Sequence, residues 1–248
     1  MNTLITGLTA GIAALFAILT ARQYWQRRKI YQLIWSIGLA NFAISVGMEF
    51  LLQVFGHWTP VMYRTWYYLG AMLGSVYLGQ GTMYLLANRK VAHVFMGLLL
   101  AVTAYGGYLV YTAPLALERV YPNIPSGAAL PSIGEAGFGS PRAWTPFLNV
   151  YGTLCLGGGA LYSAWLYKKK RMGRDRALGN VMIAVGTFII AGASTLNRFG
   201  YPQVQYIGEL IAITIIFGGF LKTLEPLDRM DAASISVAPE KSMISGME

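Results

Sequence analysis

Two glutamates interrupt apolar segments of this chain, Glu49 in "VGMEFLLQVF" (46–55) and Glu209 in "QYIGELIAITIIFGGF" (205–220). Within a membrane, an ionised carboxylate costs a few kcal/mol unless it is paired, hydrated or protonated, and it usually faces the interior of a helix bundle. The chemistry open to such a group is proton exchange, ion pairing, or a hydrogen bond that joins two helices.

Two arginines lie at a depth similar to that of the glutamates. Arg64 opens the apolar stretch 62–87, and Arg198 closes the stretch 177–198. We therefore predict that Glu49, Arg64, Arg198 and Glu209 form one cluster, contributed by four helices and able to bind a ligand or a proton. The alternative is structural: the arginines snorkel to the membrane surface, and each glutamate only fixes the packing of a neighbouring helix.

Three neutral amides, Asn41, Gln80 and Asn149, lie inside other apolar stretches. Side-chain amides often join membrane helices, with modest energies of about 0.6 kcal/mol. We expect these three to be interior polar residues that fasten helices.

The residues that metal and cofactor chemistry needs are scarce. The only histidines, His57 and His93, lie near the ends of apolar stretches, and Cys155 is the single cysteine. Haem, zinc and copper sites need more ligands than these provide. A retinal Schiff base needs a lysine near the middle of the last span, whereas Lys222 lies at its end. We predict no metal, no cofactor and no enzymatic activity.

The composition favours a membrane protein. The chain is 55% hydrophobic and 12% charged, about half the charged share of a soluble domain, and its mean hydropathy is +0.49. The net charge of +9 does not indicate nucleic-acid binding, because the basic residues form short clusters between apolar runs, as membrane anchoring requires.

The elements that must position these residues are predicted to be all α. A transmembrane helix needs about 20 apolar residues, and seven stretches qualify: 3–21, 32–56, 62–87, 91–112, 146–167, 177–198 and 203–222. Of the 19 basic residues, all but Arg64, Arg119, Arg142 and Arg198 fall on one side of these spans. The positive-inside rule then places the N-terminus outside and the C-terminus in the cytoplasm.

The connection at 113–145 is predicted to be external and irregular, because it contains many prolines and glycines. It is either a cap over the bundle or a flexible connector. The polar tail 225–248 is predicted to be a flexible cytoplasmic segment, so the membrane domain covers 1–224.

The seven stretches also suggest an internal repeat. Basic clusters end the first and fifth stretches, Phe55–Gly56 and Phe199–Gly200 end the second and sixth, and "YLGAMLG" and "YIGELIA" begin the third and seventh. This predicts two units, A (3–87) and B (146–222), joined by a linker helix at 91–112.

This 3+1+3 layout resembles the topology of the sugar-transporting SWEET and PQ-loop proteins, although the only Pro–Gln pair, Pro202–Gln203, precedes the seventh stretch instead of lying in the first helix of a unit. The chain also resembles bacterial seven-helix membrane proteins, including the sensory modules fused to some kinases.

Two functions remain open from the sequence. The first is a small-solute or proton-linked carrier, with its site between the units. The second is a non-transporting sensor or accessory subunit that binds a partner protein, lipid or pigment. Either would be a multi-pass protein of the cytoplasmic (inner) membrane, with the lipid bilayer, another membrane protein or a second copy of the chain as partner, and no nucleic acid.

Overall fold

The structure is a computed structural model that describes residues 2–120, 125–170, 173–199, 201 and 203–224, without the side chains of Arg198 and Gln203. Its described residues contain helices and no strand, as predicted. Five of these helices are long and apolar enough to cross a membrane. The chain therefore has the architecture of an integral membrane protein. The tail 225–248, predicted to be flexible, lies outside the described residues.

The α-helices are numbered in chain order. They are α1 (Asn2–Arg27), α2 (Ile30–Phe55), α3 (Pro60–Trp66), α4 (Gly74–Leu86), α5 (Arg89–Thr112), α6 (Ile133–Ala136), α7 (Pro141–Thr153), α8 (Gly159–Lys169), α9 (Arg174–Arg198) and α10 (Gln203–Leu224). The five candidate spans are α1, α2, α5, α9 and α10.

The third and fifth predicted stretches are interrupted helices. A π-helix at Tyr67–Met72 lies between α3 and α4, and another at Leu154–Gly158 lies between α7 and α8. A π-helical turn widens the backbone spiral and occurs often at functional sites. Each of these two stretches is therefore a composite of two α-helices, which the sequence did not predict.

Helices α9 and α10 pack closely along glycines. A Cβ atom at Gly179 would lie 2.5 Å from the carbonyl oxygen of Gly219, and a Cβ atom at Gly208 would lie 2.4 Å from the Cβ atom of Ala193. Small residues allow membrane helices to approach in this way. This contact fixes the beginning of α10 beside the end of α9.

The connection between α5 and α7 packs onto the end of the bundle, which we call the loop end. Within its residues 125–130, which we call the docked segment, Ala129 and Leu130 are fully buried in the larger of two hydrophobic clusters. The Tyr63 hydroxyl donates to the carbonyl of Ser126 at 2.6 Å and accepts from the amide of Ala129 at 3.3 Å. The connection was predicted to be either a cap over the bundle or a flexible connector. The packing of its described part is that of a cap.

The opposite end, which we call the basic end, carries the turns α1–α2, α4–α5 and α8–α9. Arg28 has a positive φ of 52° in the first of these turns, and its guanidinium lies 5.0 Å from the centre of the Trp25 ring. Lys169 makes the same kind of contact with Trp165 at 5.0 Å. Such cation–π pairs suit the water–membrane boundary, where an aromatic ring and a charge are both accommodated.

Candidate functional site

Glu49 is held at the contact between α2 and the end of α3. The Trp66 indole N–H donates to Glu49 Oε1 at 2.7 Å, and the Ser45 hydroxyl, one turn before Glu49, donates to the carbonyl of Trp66 at 3.1 Å. The two helices can come this close because residue 70 is glycine: a Cβ atom there would lie 1.8 Å from Ser45 Oγ.

Glu209 lies one turn after Gln205 on α10, so both side chains face the same neighbours. The side-chain amide of Gln205 donates to Glu209 Oε1 at 2.9 Å and to Glu49 Oε1 at 3.5 Å. One amide nitrogen therefore bridges the two carboxyl groups. The fold therefore brings together two glutamates that are 160 residues apart in the sequence.

The two carboxyl groups form a pair that is almost completely buried. Glu49 is 1% exposed and Glu209 is 5% exposed. On each of them, Oε2 has no hydrogen-bond partner among the described residues, while both Oε1 atoms accept from the side-chain amide of Gln205. Two ionised carboxylates only accept hydrogen bonds, so one proton between them would satisfy both groups at once.

The predicted arginine partners do not complete a four-member cluster. Arg64 directs its guanidinium to the end of α5, where it donates to the backbone carbonyls of Val110 and Ala113. The prediction that Arg64 supplies a counter-charge to the glutamates is therefore wrong: its donors instead satisfy carbonyls that the end of a helix leaves unpaired. The side chain of Arg198 lies outside the described residues, so its predicted role stays a prediction.

The ion pairs of the described residues do not reach the carboxyl pair. Among these residues one salt bridge forms, between Arg119 and Glu135 in the α5–α7 connection, at 2.8 Å. The carboxyl pair therefore lies in a buried layer whose described side chains offer it N–H donors and no basic group.

Asn197, near the end of α9, connects this pair to the loop end. Its side-chain nitrogen donates to the carbonyl of Pro125 at 2.9 Å and also to Gln205 Oε1. The prediction of a site from charged residues missed both amides and Trp66. The spacing of Gln205 and Glu209, four residues apart on one helix, was the signal that could have found Gln205.

A cluster of aromatic rings also lies between Glu49 and the docked segment. The ring of Trp58 lies 5.4 Å from those of both Tyr63 and Trp66, and Tyr63 lies 5.5 Å from Trp66. The indole nitrogen of Trp58 is buried without a partner among the described residues. All three rings are at most 7% exposed, so they form a dry aromatic cluster that contacts Glu49 through Trp66 and the docked segment through Tyr63.

The interior amides mostly fasten helices. Gln80 is fully buried and donates to the carbonyl of Ala92 at 2.8 Å, while its oxygen accepts from Tyr151. Asn149 donates at 3.1 Å to the carbonyl of Ala71, within the first π-helix, and accepts from Ser75 at 2.8 Å. The bonds of Gln80 and Asn149 match the role in helix packing that was expected of these two residues. Asn41 is half-buried in α2.

The pair is separate from two cavities of the structure. The described residues hold no group of three or more His, Cys, Asp or Glu side chains that could bind a metal ion. The lining of one cavity includes Thr3, Gly7 and Phe50, and that of the other includes Thr82, Cys155 and Tyr162. Neither contains Glu49 or Glu209. What the pair does offer is two buried carboxyl groups beside the N–H groups of Trp66 and Gln205, an arrangement suited to holding a proton.

Comparisons with known proteins found no similar protein. No family model matches the chain, and neither curated proteins nor solved structures give a match.

Proposed function

We propose that this protein is a proton-linked carrier of a small solute, in which Glu49 and Glu209 form the proton-binding site. The observation that carries the proposal is the buried carboxyl pair itself, bridged by Gln205 and without a basic partner among the described side chains. Its two members come from α2 and α10, and thus from the two predicted units A and B. Carriers built from repeated units place their coupling site at the interface of those units.

A proton is the ligand that the chemistry of the pair favours. Two adjacent carboxylates in a low-dielectric layer repel each other and are poorly solvated, so they cannot both remain ionised. A single shared proton removes one charge and places a donor between the two groups. The remaining negative charge is stabilised by the N–H groups of Trp66 and Gln205. Exchange of that proton would couple a conformational change to the proton gradient.

The proposed topology has seven spans. The two composite helices, α3–α4 and α7–α8, supply the third and fifth crossings, each with a π-helix between its parts. The basic end faces the cytoplasm, in keeping with the positive-inside rule, and the loop end faces outward with the N-terminus. The carboxyl pair then lies in the outer half of the membrane.

A second candidate function is a non-transporting sensor or accessory subunit. The observation that favours it is the enclosure of the pair: Glu49 and Glu209 are 1% and 5% exposed, and the buried rings of Trp58, Tyr63 and Trp66 pack together on the side of Glu49. A proton bound in such a site could change the affinity for a partner protein without any solute passing. Purification in a mild detergent would then recover a partner in stoichiometric amount.

The experiment that tests the carrier is flux in proteoliposomes. The protein is reconstituted with a pH-sensitive dye inside, and defined pools of sugars, amino acids and organic amines are added outside. The proposal expects proton movement that depends on one pool and is abolished in Glu209→Gln. The matched control is Gln23→Ala, a polar residue near the basic end. The absence of solute-dependent proton movement with every pool, in protein that is folded and inserted, would contradict the carrier.

A further inference from the structure

Four N–H groups connect the carboxyl pair to the docked segment. Gln205 uses both hydrogens of its amide nitrogen on Glu49 and Glu209. Its oxygen accepts from Asn197, whose second hydrogen is donated to the carbonyl of Pro125 at 2.9 Å. Every donor of the two amides is therefore used in one connected chain from the pair to the loop end.

The groups at the two ends of this series of hydrogen bonds determine which atom of each amide donates and which accepts. A backbone carbonyl such as that of Pro125 only accepts, so Asn197 must present its nitrogen there. An ionised carboxylate also only accepts, so Gln205 must present its nitrogen to the pair. The contact between the amides then has a single arrangement, in which the nitrogen of Asn197 faces the oxygen of Gln205. Rotating either amide would place two donors or two acceptors against each other.

We propose that Asn197 and Gln205 are positioning residues that couple the protonation of the carboxyl pair to the docking of residues 125–130 on α9. The proposal rests on the proposed function only in taking the pair as the proton-binding site. In the state with one shared proton, both Oε1 atoms accept from Gln205 and the segment is docked.

Uptake of a second proton disturbs this arrangement. If the proton is placed on Glu209 Oε1, an O–H group faces the N–H of Gln205, and two donors oppose each other. The Gln205 amide relieves the conflict by turning its oxygen to Glu209, which directs its nitrogen at the nitrogen of Asn197. Asn197 must then turn as well, and its oxygen would face the carbonyl of Pro125. The hydrogen bond that holds the segment on α9 is lost.

Other charged and titratable groups near the pair are few. On α10 Tyr206 lies close to both carboxyl groups and accepts from Gln53 at 3.0 Å. On α3 the Arg64 guanidinium is used by carbonyls of α5 and its following turn, and the Tyr63 hydroxyl contacts the docked segment. On α9 the side chain of Arg198 lies outside the described residues. Helix α1, which packs against α2 and α10, has no charged residue before Arg22.

The docked segment also has contacts that do not depend on protonation. Leu130 is fully buried, and Arg142 donates to its carbonyl at 3.4 Å. The amide of Ala129 is covered by the Tyr63 hydroxyl. Loss of the Asn197 contact should therefore loosen the segment without unfolding the bundle, and amide hydrogen exchange can follow that loosening.

The test is hydrogen–deuterium exchange of residues 126–130 in the full chain in lipid nanodiscs, corrected for the intrinsic effect of pH. On acidification from about pH 8 to about pH 4, a range that extends below the ordinary glutamate pKa of about 4.3, we expect exchange in the wild-type protein to rise about fivefold, as expected when one hydrogen bond is lost. In Asn197→Ala, exchange should already be raised at the higher pH and should no longer respond.

Matched variants separate this coupling from general loosening. Asn180→Ala removes an amide of the same helix that donates to the carbonyl of Arg176, one turn earlier, and it should respond to pH as the wild-type protein does. Tyr63→Phe should raise exchange at both pH values and keep their ratio. If Asn197→Ala does not fold, Gln205→Met provides the same test, with the same loss of response expected.

The proposal is overturned if the wild-type protein shows no pH response in residues 126–130, or if Asn197→Ala and Gln205→Met retain it. Its failure differs from failure of the carrier. Solute-dependent proton flux without the exchange response would refute only the coupling. An exchange response that depends on Asn197, without flux for any solute pool, would refute only the carrier and would support proton binding at the pair.

Discussion

The indole N–H of Trp66 donates to Glu49 at 2.7 Å, so an aromatic side chain of α3 directly stabilises a carboxyl group of α2. The same tryptophan accepts through its carbonyl from Ser45, one turn before Glu49. Two hydrogen bonds between one residue and one face of α2 fix the depth and the direction of Glu49. The remainder of its environment is supplied by α10, through Gln205 and Glu209.

Trp66→Phe should lower the free energy of unfolding, because it keeps an aromatic ring in the cluster with Trp58 and Tyr63 but removes the donor to Glu49. A hydrogen bond to a charged group contributes about 1.5–3 kcal/mol, and a loss in this range is expected in denaturant unfolding in detergent. The control is Trp25→Phe at the basic end, where the side chain is 65% exposed. A loss in Trp66→Phe no greater than that of the control would contradict the assigned role.

Gly70→Ala should separate α2 from the first π-helix. A Cβ atom at residue 70 would lie 1.8 Å from Ser45 Oγ and 2.6 Å from its Cβ atom, and such overpacking costs about 1–3 kcal/mol. Gly47→Ala is the matched control, because a Cβ atom there meets nothing within 4 Å. Adding Ser45→Gly to Gly70→Ala should restore part of the stability. Equal stability of the two glycine variants would show that this close approach is not required.

Glu135 should make the α6 turn sensitive to acid. The backbone amide of Ser132 and then the Arg119 guanidinium hold the pKa of Glu135 at about 2, below its ordinary 4.5. Because the folded pKa is lowered, the stabilisation is present above about pH 4.5 and is lost as the pH falls towards 2. We expect hydrogen exchange of residues 132–136 to increase over that range.

Glu135→Gln should remove this acid response and raise the exchange of residues 132–136 at neutral pH. Glu118→Gln is the control in the same connection, since the salt bridge of the described residues joins Arg119 to Glu135 and not to Glu118. If hydrogen exchange of residues 132–136 still increases at acid pH in Glu135→Gln, another group is responsible for the increase.

The proposed orientation predicts which cysteines an impermeant maleimide reaches. In a Cys155→Ser background, Phe138→Cys at the loop end should react in intact cells, because residue 138 is 71% exposed. Lys29→Cys at the basic end should react only after the membrane is permeabilised, as the positive-inside rule requires. Reaction of Lys29→Cys and protection of Phe138→Cys in intact cells would contradict the proposed orientation.

Much of the helical architecture could be predicted from the sequence, because apolar length alone identifies helices such as α1, α2 and α10. The two π-helices that interrupt the third and fifth stretches could not be predicted from the sequence. The π-helix at Tyr67–Met72 lies where Gly70 approaches Ser45 and where Asn149 donates to the carbonyl of Ala71, and these are tertiary interactions between residues distant in the sequence.

The site was predictable in part. Glu49 and Glu209 could be expected to meet, because two carboxyl groups at one depth of an apolar bundle both seek polar partners. The role of Arg64 was predicted wrongly, since an arginine can equally satisfy the carbonyls at a helix end. Gln205 could have been found from its spacing of four residues to Glu209 on one helix, whereas the role of Asn197 follows only from the neighbours that the fold provides.

Infrared spectroscopy of the carboxyl groups tests the central claim most directly. The claim is that Glu49 and Glu209 share one proton inside the bundle. At neutral pH the wild-type protein should show the C=O stretch of one protonated carboxylic acid, shielded from solvent exchange, and the band should vanish in the double variant Glu49→Gln/Glu209→Gln. A spectrum without such a band at neutral pH, or a band that remains in the double variant, would contradict the claim.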